Sequence, residues 1–285
     1  GGRARNGWDF VDNDSVANDC NGHGTHVAGT IGGATTGVAR NVKLVGVRVL
    51  NCAGSGTYSQ IISGIDWVTR NAAKPAVVNM SLGGSASSTL DTAIKRSIAA
   101  GISYVVAAGN DNTNACNVSP ARTPEAVTVG ATDQADARAW FSNVGTCLDL
   151  FAPGVSITSA YGSSDTALAR ISGTSMAAPH VAGAAAMVLA AHPAYTPAQV
   201  RNALVTAATA GKVTGAGTGS ANRLLYTGPT ACTAVTVTTA ATIKNGGATS
   251  SPAPVTGCTG NAAATTKVGV RFTLAKSSTV TVELV

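Results

Sequence analysis

Charge is scarce in this chain. Asp, Glu, Lys and Arg make up 11% of the 285 residues, and the net charge of +6 comes from scattered Lys and Arg with no run and no interleaved aromatics. A nucleic-acid-binding surface gathers its positive charge on one face or stripe, so the basic residues read as a solvated surface and no nucleic-acid partner is expected. Aromatics are scarcer still, at 4%, which leaves the core to small aliphatic side chains and close backbone approach. No apolar run is long enough to cross a bilayer: the Ala-rich stretch 181–191 is too short and too small-sided, so no membrane partner is expected. No signal-peptide pattern stands at the opening Gly1-Gly2-Arg3. No CxxC pair is present among the six widely spaced cysteines, which speaks against zinc and for disulfides in an oxidising compartment.

Small residues are plentiful, with 33 Gly beside abundant Ala, Ser and Thr. Short β-branched runs at 42–50, 76–81, 102–108 and 126–132 alternate with helical patterns. Residues 58–73 put Ile61, Ile65, Trp67 and Val68 on one face, and 88–100 put Leu90, Ile94 and Ile98 at steps of four. Strands alternating with helices of this length predict an α/β fold, with a mostly parallel sheet covered by helices on both faces. Thr196-Pro197-Ala198-Gln199 combines a capping box with proline at the first helical position, predicting a helix to about Ala208. After Tyr226 the texture changes. Residues 227–285 lose helical periodicity and read as the start of a small β module, with strand-like runs at 235–239, 267–274 and 279–285. There Gly257-Cys258-Thr259-Gly260 reads as a turn, and Cys232–Cys258 as a bond closing a local loop.

Three separated segments carry chemistry: Asn21-Gly22-His23-Gly24-Thr25-His26-Val27-Ala28-Gly29-Thr30, Ala107-Ala108-Gly109-Asn110, and Ser172-Gly173-Thr174-Ser175-Met176-Ala177-Ala178-Pro179-His180. A hydroxyl nucleophile needs a neutral imidazole, access to substrate, and donors for the oxyanion. Ser175 at the start of an Ala-rich helix supplies the hydroxyl, and its N–H at the positive helix terminus supplies one donor. His23 can be the base and the Asn110 amide a second donor. Taken singly, each piece has a bland reading: a helix cap, a turn residue, a packing histidine. His23 and His26 lack the Glu of a zinc-binding HExxH helix. It is the three segments together, in this order, that point to nucleophilic catalysis.

The segments HGTHVAGT, AAGN and GTSMAAPHVAG resemble the His, Asn and Ser blocks of the subtilases, over residues 1 to about 226. Asn79-Met80-Ser81-Leu82-Gly83-Gly84 and the two wide cysteine pairs resemble the proteinase K branch, especially its aqualysin-like bacterial members. The resemblance implies a subtilisin-like fold and a secreted, extracellular serine endopeptidase acting on protein and peptide substrates. It makes His23 the base, Ser175 the nucleophile and Asn110 the oxyanion donor, with His26 and His180 structural and His192 on the surface. It implies that Ser81, Leu82 and Gly83 pair with the substrate backbone, that Gly54, Ser55 and Gly56 form the opposite rail, and that Ala107, Ala108 and Gly109 wall a pocket for a bulky apolar side chain. It also implies the disulfides Cys20–Cys52 and Cys116–Cys147, an inhibitory N-terminal propeptide in the precursor, and a monomer.

One feature of the family is missing. Subtilases carry their triad Asp on an early strand, in a pattern like V-I-D-[TS]-G; here Asp9, Asp12, Asp14 and Asp19 precede His23, and none has that setting. The expectation is a sequence cut at both ends, with a catalytically dead subtilase-like binding protein as the competing reading. A third reading is an adhesion protein whose working part is the tail, which weakly resembles the start of a bacterial pre-peptidase C-terminal β-sandwich. Structural calcium is the expected cofactor. One set is Asp9, Asp12, Asp14, Val16 and Asn18, an oxygen-rich loop suited to a hard cation and similar to a calcium loop of thermitase-like subtilases. The other, implied by resemblance to proteinase K alone, is Pro124, Ala126 and Asp149.

Overall fold

The structure, a computed structural model, describes residues 2–228 and the backbone of four strands beyond them. The chain divides into two compact units, Gly1–Tyr226 and Thr227–Val285. In the first, β1 (Ala4–Asp9) and β2 (Leu44–Arg48) form a parallel pair. A larger sheet takes β3 (Val77–Met80), β4 (Ser103–Ala107), β5 (Val127–Thr132) and β6 (Leu150–Pro153) side by side, all parallel. An antiparallel hairpin, β7 (Ile157–Ala160) and β8 (Leu168–Ile171), follows in sequence. The short β9 (Thr209–Ala210) and β10 (Arg223–Leu224) then complete the sheet edge beyond β6.

Alternation along the central strands decides what each face buries. Val105, Ala107, Val127, Val129 and Ala131 point to one side and meet α4 (Thr174–Ala191) and α5 (Pro197–Ala207). Tyr104 and Val106 point to the other and meet α2 (Tyr58–Asn71) and α3 (Ser88–Ala99) through Ile61, Ile65, Leu90 and Ile94. Helices thus cover both faces, as the β-branched runs predict. The helical periodicities fall where expected, and the capping boxes form at both Thr57/Gln60 and Thr196/Gln199.

Helix α4 differs from the others. It is lined by Ala177, Ala178, Ala182, Ala184 and Ala185, all buried, and packs against α1 (His23–Gly32) as well as the sheet. Gly183 lets the chain near Val38 approach: a Cβ there would lie 2.7 Å from the Val38 Cβ. Starting at Thr174 rather than 181, the helix has 18 residues and is long and apolar enough by composition to cross a membrane. The expectation of no such stretch is corrected, because the apolar run extends back through the nucleophile block. Burial of 61% of the helix explains its apolarity as that of a core element.

Among the strands beyond the first unit, Ala234–Val237 pairs with Val255–Cys258, and Val268–Thr273 with Thr279–Leu284, both antiparallel. Gly257 and Cys258 therefore lie in a strand, not in the turn their Gly-rich neighbourhood predicts; pairing opposite Ala234 and Val235 overrides the local turn signal. The Cys232–Cys258 bond lies outside the described residues.

Cys20–Cys52 and Cys116–Cys147 both form, with Cα atoms 4.9 and 5.4 Å apart. The second ties the start of the loop after β4 to the residues entering β6. Replacing Cys116 and Cys147 together by Ser should lower unfolding free energy by about 3–4 kcal/mol through the freed unfolded chain. Denaturant unfolding of the Ser175→Ala form measures this, and a loss below about 1 kcal/mol would contradict it.

Candidate active site

Ser175 is the second residue of α4, so its N–H belongs to the first turn and has no intrahelical acceptor. The Gly173 cap offers no side chain, and no acidic residue stands in the first turn. The positive end of the helix is therefore left unneutralised beside the hydroxyl. Further along, Pro179 has no N–H to give, and the carbonyl four residues back is that of Ser175. That carbonyl instead accepts a hydrogen bond from Ser81 Oγ at 2.7 Å, while Ser81 Oγ accepts from Asn79 Nδ2 at 2.9 Å. In return, Ser175 Oγ donates a longer bond to the Ser81 carbonyl, 3.3 Å. Ser81 follows β3 directly, so the sheet holds Ser175 through two bonds.

Asn110 lies just past β4, whose five residues are all buried. Its Oδ1 accepts from both the backbone N–H and the hydroxyl of Thr174, each at 2.8 Å. Thr174 Oγ1 in turn accepts from the Gly109 N–H at 3.1 Å. With its oxygen committed, the amide can only present Nδ2 as a donor, and that group lies on the Gly173 side, 3.6 Å from where a Cβ of Gly173 would be. Thr174 is thus what orients Asn110; its place in the Gly-Thr-Ser motif was the signal for it.

His23 opens α1. The turn before it is fixed by Asp19, whose Oδ1 accepts from the N–H groups of Asn21 and Gly22 and whose Oδ2 accepts from the N–H and hydroxyl of Thr25. Burial alone would push the Asp19 carboxyl up, but the bonds from Thr25, Gly22 and Asn21 outweigh it and hold it below the ordinary value. Four donors leave Asp19 no vacant position for the His23 ring. Burial pushes the His23 imidazole below its ordinary value; the Asp19 charge opposes that without overcoming it, and His26 adds to the lowering. Among the described residues no hydrogen bond holds the His23 ring. The hydroxyl–imidazole bond is not formed either, since Ser175 Oγ is turned to Ser81.

His26 is fully buried and places Nε2 2.9 and 3.2 Å from the carbonyls of Ile157 and Ala169, joining α1 to the β7–β8 hairpin. His180 bonds the Met176 carbonyl through Nδ1, and His192 stacks on Tyr195.

The residues expected to contact substrate fall into three groups. Ser81 bonds Ser175, and Leu82 and Gly83 follow it in the chain, with Leu82 packed against the cluster of Ile61 and Leu90. Gly54, Ser55 and Gly56 are exposed in the loop after Cys52, with Gly54 near the Asn21 side chain. Ala107 and Ala108 point into two different core clusters. Their backbone and Gly109, rather than their methyl groups, are what a pocket wall has to use.

The expected calcium sets do not fit as they stand. Asp9 Oδ1 accepts from the N–H groups of Val11 and Asp12, while Arg48 bonds Asp9 Oδ2 and Asp12 Oδ2, each at 2.6 Å. Asp14 accepts from the Val16 N–H, and the Val16 carbonyl from Asn18. Asp149 accepts from the Thr128 N–H and is paired with Arg201. Burial pushes Asp149 up despite both partners. A cation at either place has to displace a guanidinium, so these residues form no ready cage.

Residues 2–226 match the subtilase family. The chain belongs to that family. Similar subtilases include the extracellular serine proteinase of Thermus sp. (strain Rt41A), 61% identical over 226 residues, covering 79% of this chain and 55% of the relative. The alkaline serine exoprotease A of Vibrio alginolyticus is 57% identical over 226 residues, covering 79% of this chain and 42% of the relative. The crystal structure of a cold adapted subtilisin-like serine proteinase superposes with a TM-score of 0.77 at 56% identity, covering 79% of this chain and 82% of that one. The subtilisin-like α/β fold is thereby shown. This subtilase chain spans about half the length of the curated relatives it matches, 55% and 42% of the first two.

Burial also pushes His180 below its ordinary value, against the Met176 carbonyl bond and together with His26. A histidine lowered on folding is protonated first in the unfolded chain, so its contribution is complete above about pH 6.5 and is lost as pH falls toward the folded value. The melting temperature of the Ser175→Ala form should fall between about pH 7 and pH 5, and His180→Gln should flatten that slope. An equal slope in both would refute it.

Proposed function

We propose that this chain carries the peptide-cleaving machinery of a secreted serine endopeptidase acting on protein and peptide substrates. One observation carries the reading: the Asn110 carboxamide is locked by Thr174 at the start of the helix that bears Ser175. The Asn110 oxygen caps the Thr174 N–H, which leaves Nδ2 and the Ser175 N–H as the free donors there, the pair that a developing oxyanion requires. The two disulfides and the names of extracellular relatives support secretion.

In the reaction, Ser175 Oγ attacks the substrate carbonyl carbon while His23 takes its proton. The carbonyl oxygen gains the charge between the Ser175 N–H and Asn110 Nδ2. Collapse expels the amine, which takes the proton from His23, and leaves an acyl group on Ser175; water, deprotonated by His23, releases it. Lowering of the His23 pKa keeps the base neutral and competent at neutral pH. Substrate pairing along Ser81, Leu82 and Gly83 as an added strand competes for the Ser81 carbonyl and releases the Ser175 hydroxyl toward His23. Gly54, Ser55 and Gly56 form the facing rail. The backbone of Ala107, Ala108 and Gly109 walls a pocket for an apolar or aromatic residue before the scissile bond. Calcium enters no step.

The bare His23 ring favours one qualification. With no carboxylate bonded to the His23 ring among the described residues, the 285-residue chain should turn over peptides about 10⁴-fold more slowly than a triad-complete subtilase. A sulfonylating reagent should label Ser175, and Ser175→Ala should abolish the label. Asn110→Ala should lower kcat by about 10²–10³ with little change in KM, the effect seen when a subtilisin loses its side-chain oxyanion donor. Peptide hydrolysis and mass mapping of the label decide this. A chain that neither cleaves nor is labelled is the binding protein of the competing reading.

A further inference from the structure

We propose that Asn143 is a positioning residue for Asn110, holding the backbone on both sides of the oxyanion donor without touching it; this rests on the reading of the site given above. Asn143 is fully buried and lies between β5 and β6 in sequence, 33 positions away from Asn110. Its Nδ2 donates to the Ala108 carbonyl at 2.9 Å. Its Oδ1 accepts from the N–H of Asp111 at 3.1 Å, the N–H of Thr113 at 3.0 Å and the Thr113 hydroxyl at 3.3 Å. Its own N–H donates to the Gly109 carbonyl at 3.0 Å. The peptides immediately before and after Asn110 are therefore both anchored to one side chain and its backbone.

Contact is also close. Gly109 has φ +102, and a Cβ built on it would stand 2.3 Å from Asn143 Nδ2. Only glycine at 109 admits the amide behind the chain, both by conformation and by space. The division of work is clear: Thr174 fixes the Asn110 side chain from the nucleophile's helix, and Asn143 fixes its backbone from the opposite loop. A side chain that satisfies four hydrogen-bonding contacts in a buried site is rigid, and an oxyanion donor displaced by a fraction of an ångström loses its electrostatic contribution.

The test is a double-mutant cycle on hydrolysis of a chromogenic peptide anilide with an apolar residue before the anilide. Asn143→Ala should lower kcat by about tenfold to a hundredfold and leave KM within about threefold, the pattern of a contact made only in the transition state. In the Asn110→Ala background the same change should cost nothing further, because the group it positions is gone. A merely structural residue lowers stability and adds its kcat loss in full; additivity, or an unchanged kcat in folded Asn143→Ala, overturns the assignment. Should Asn143→Ala fail to fold, Asn143→Asp decides. A protonated carboxyl can still donate to the Ala108 carbonyl, so kcat relative to the parent should rise as pH is lowered, and a ratio flat in pH overturns the assignment. A parent chain with neither turnover nor label at Ser175 overturns the function and the assignment together; an active parent with additive variants overturns the assignment alone.

Discussion

Burial of helix α4 with its first turn left open is the constraint on which the site depends. A helix this deep needs small side chains to approach the sheet and α1, and Ala177, Ala178, Ala182, Gly183, Ala184 and Ala185 provide them. Depth fixes the axis. In the first turn the N–H groups of Thr174 and Met176 are taken by Asn110 Oδ1 and the Gly173 carbonyl, which leaves the Ser175 N–H as the one without an acceptor among the described residues. Pro179 adds the remaining element: by withholding a donor it leaves the Ser175 carbonyl to Ser81, and so ties the nucleophile to the end of β3.

The helices divide accordingly. Thr57 with Gln60 and Thr196 with Gln199 close the starts of α2 and α5 by reciprocal bonds. Each cap contributes about 1 kcal/mol. The starts of α1 and α4 sit behind Gly22 and Gly173 and carry His23 and Ser175. Asp19 partly restores α1 from outside, bonding Gly22 and Thr25 while leaving the imidazole clear. The His23 N–H donates to Asn21 Oδ1 at 3.3 Å, so α1 is closed by side chains that precede it.

Much of this was legible in the sequence. Alternating β-branched runs and four-step apolar spacing located β2 to β5 and the helices α2, α3 and α5, because burial on one face leaves a period that any reader can count. The three glycine-flanked motifs drew attention to His23, Asn110 and Ser175, and the structure joins Asn110 to Thr174, the residue before Ser175. What the sequence did not disclose depends on contacts between distant segments. Asn143 has no motif, and its partners lie more than 29 positions away. The acidic loop at Asp9, Asp12 and Asp14 read as a cation site because Arg48, 39 positions from Asp9, cannot be seen from the loop. Gly257 and Cys258 read as a turn because strand pairing is a property of two segments and turn propensity of one. Ala107 and Ala108 read as a pocket lining, since smallness gives no hint of which way a methyl group points.

The meeting of Gly109 with Asn143 also limits how such a chain can diversify. Pockets are commonly reshaped by enlarging a residue in their wall, but here position 109 can bear no larger residue and position 108 is wholly interior. A larger residue at 109 has to displace the Asn143 side chain, whose amide holds the Ala108 carbonyl. The exposed loop at Gly54, Ser55 and Gly56 is limited in the same way, since Gly54 has φ +78 and a Cβ on Gly56 would lie 2.2 Å from the Val49 carbonyl oxygen. Room for a larger side chain in that loop is therefore left at Ser55, which is exposed.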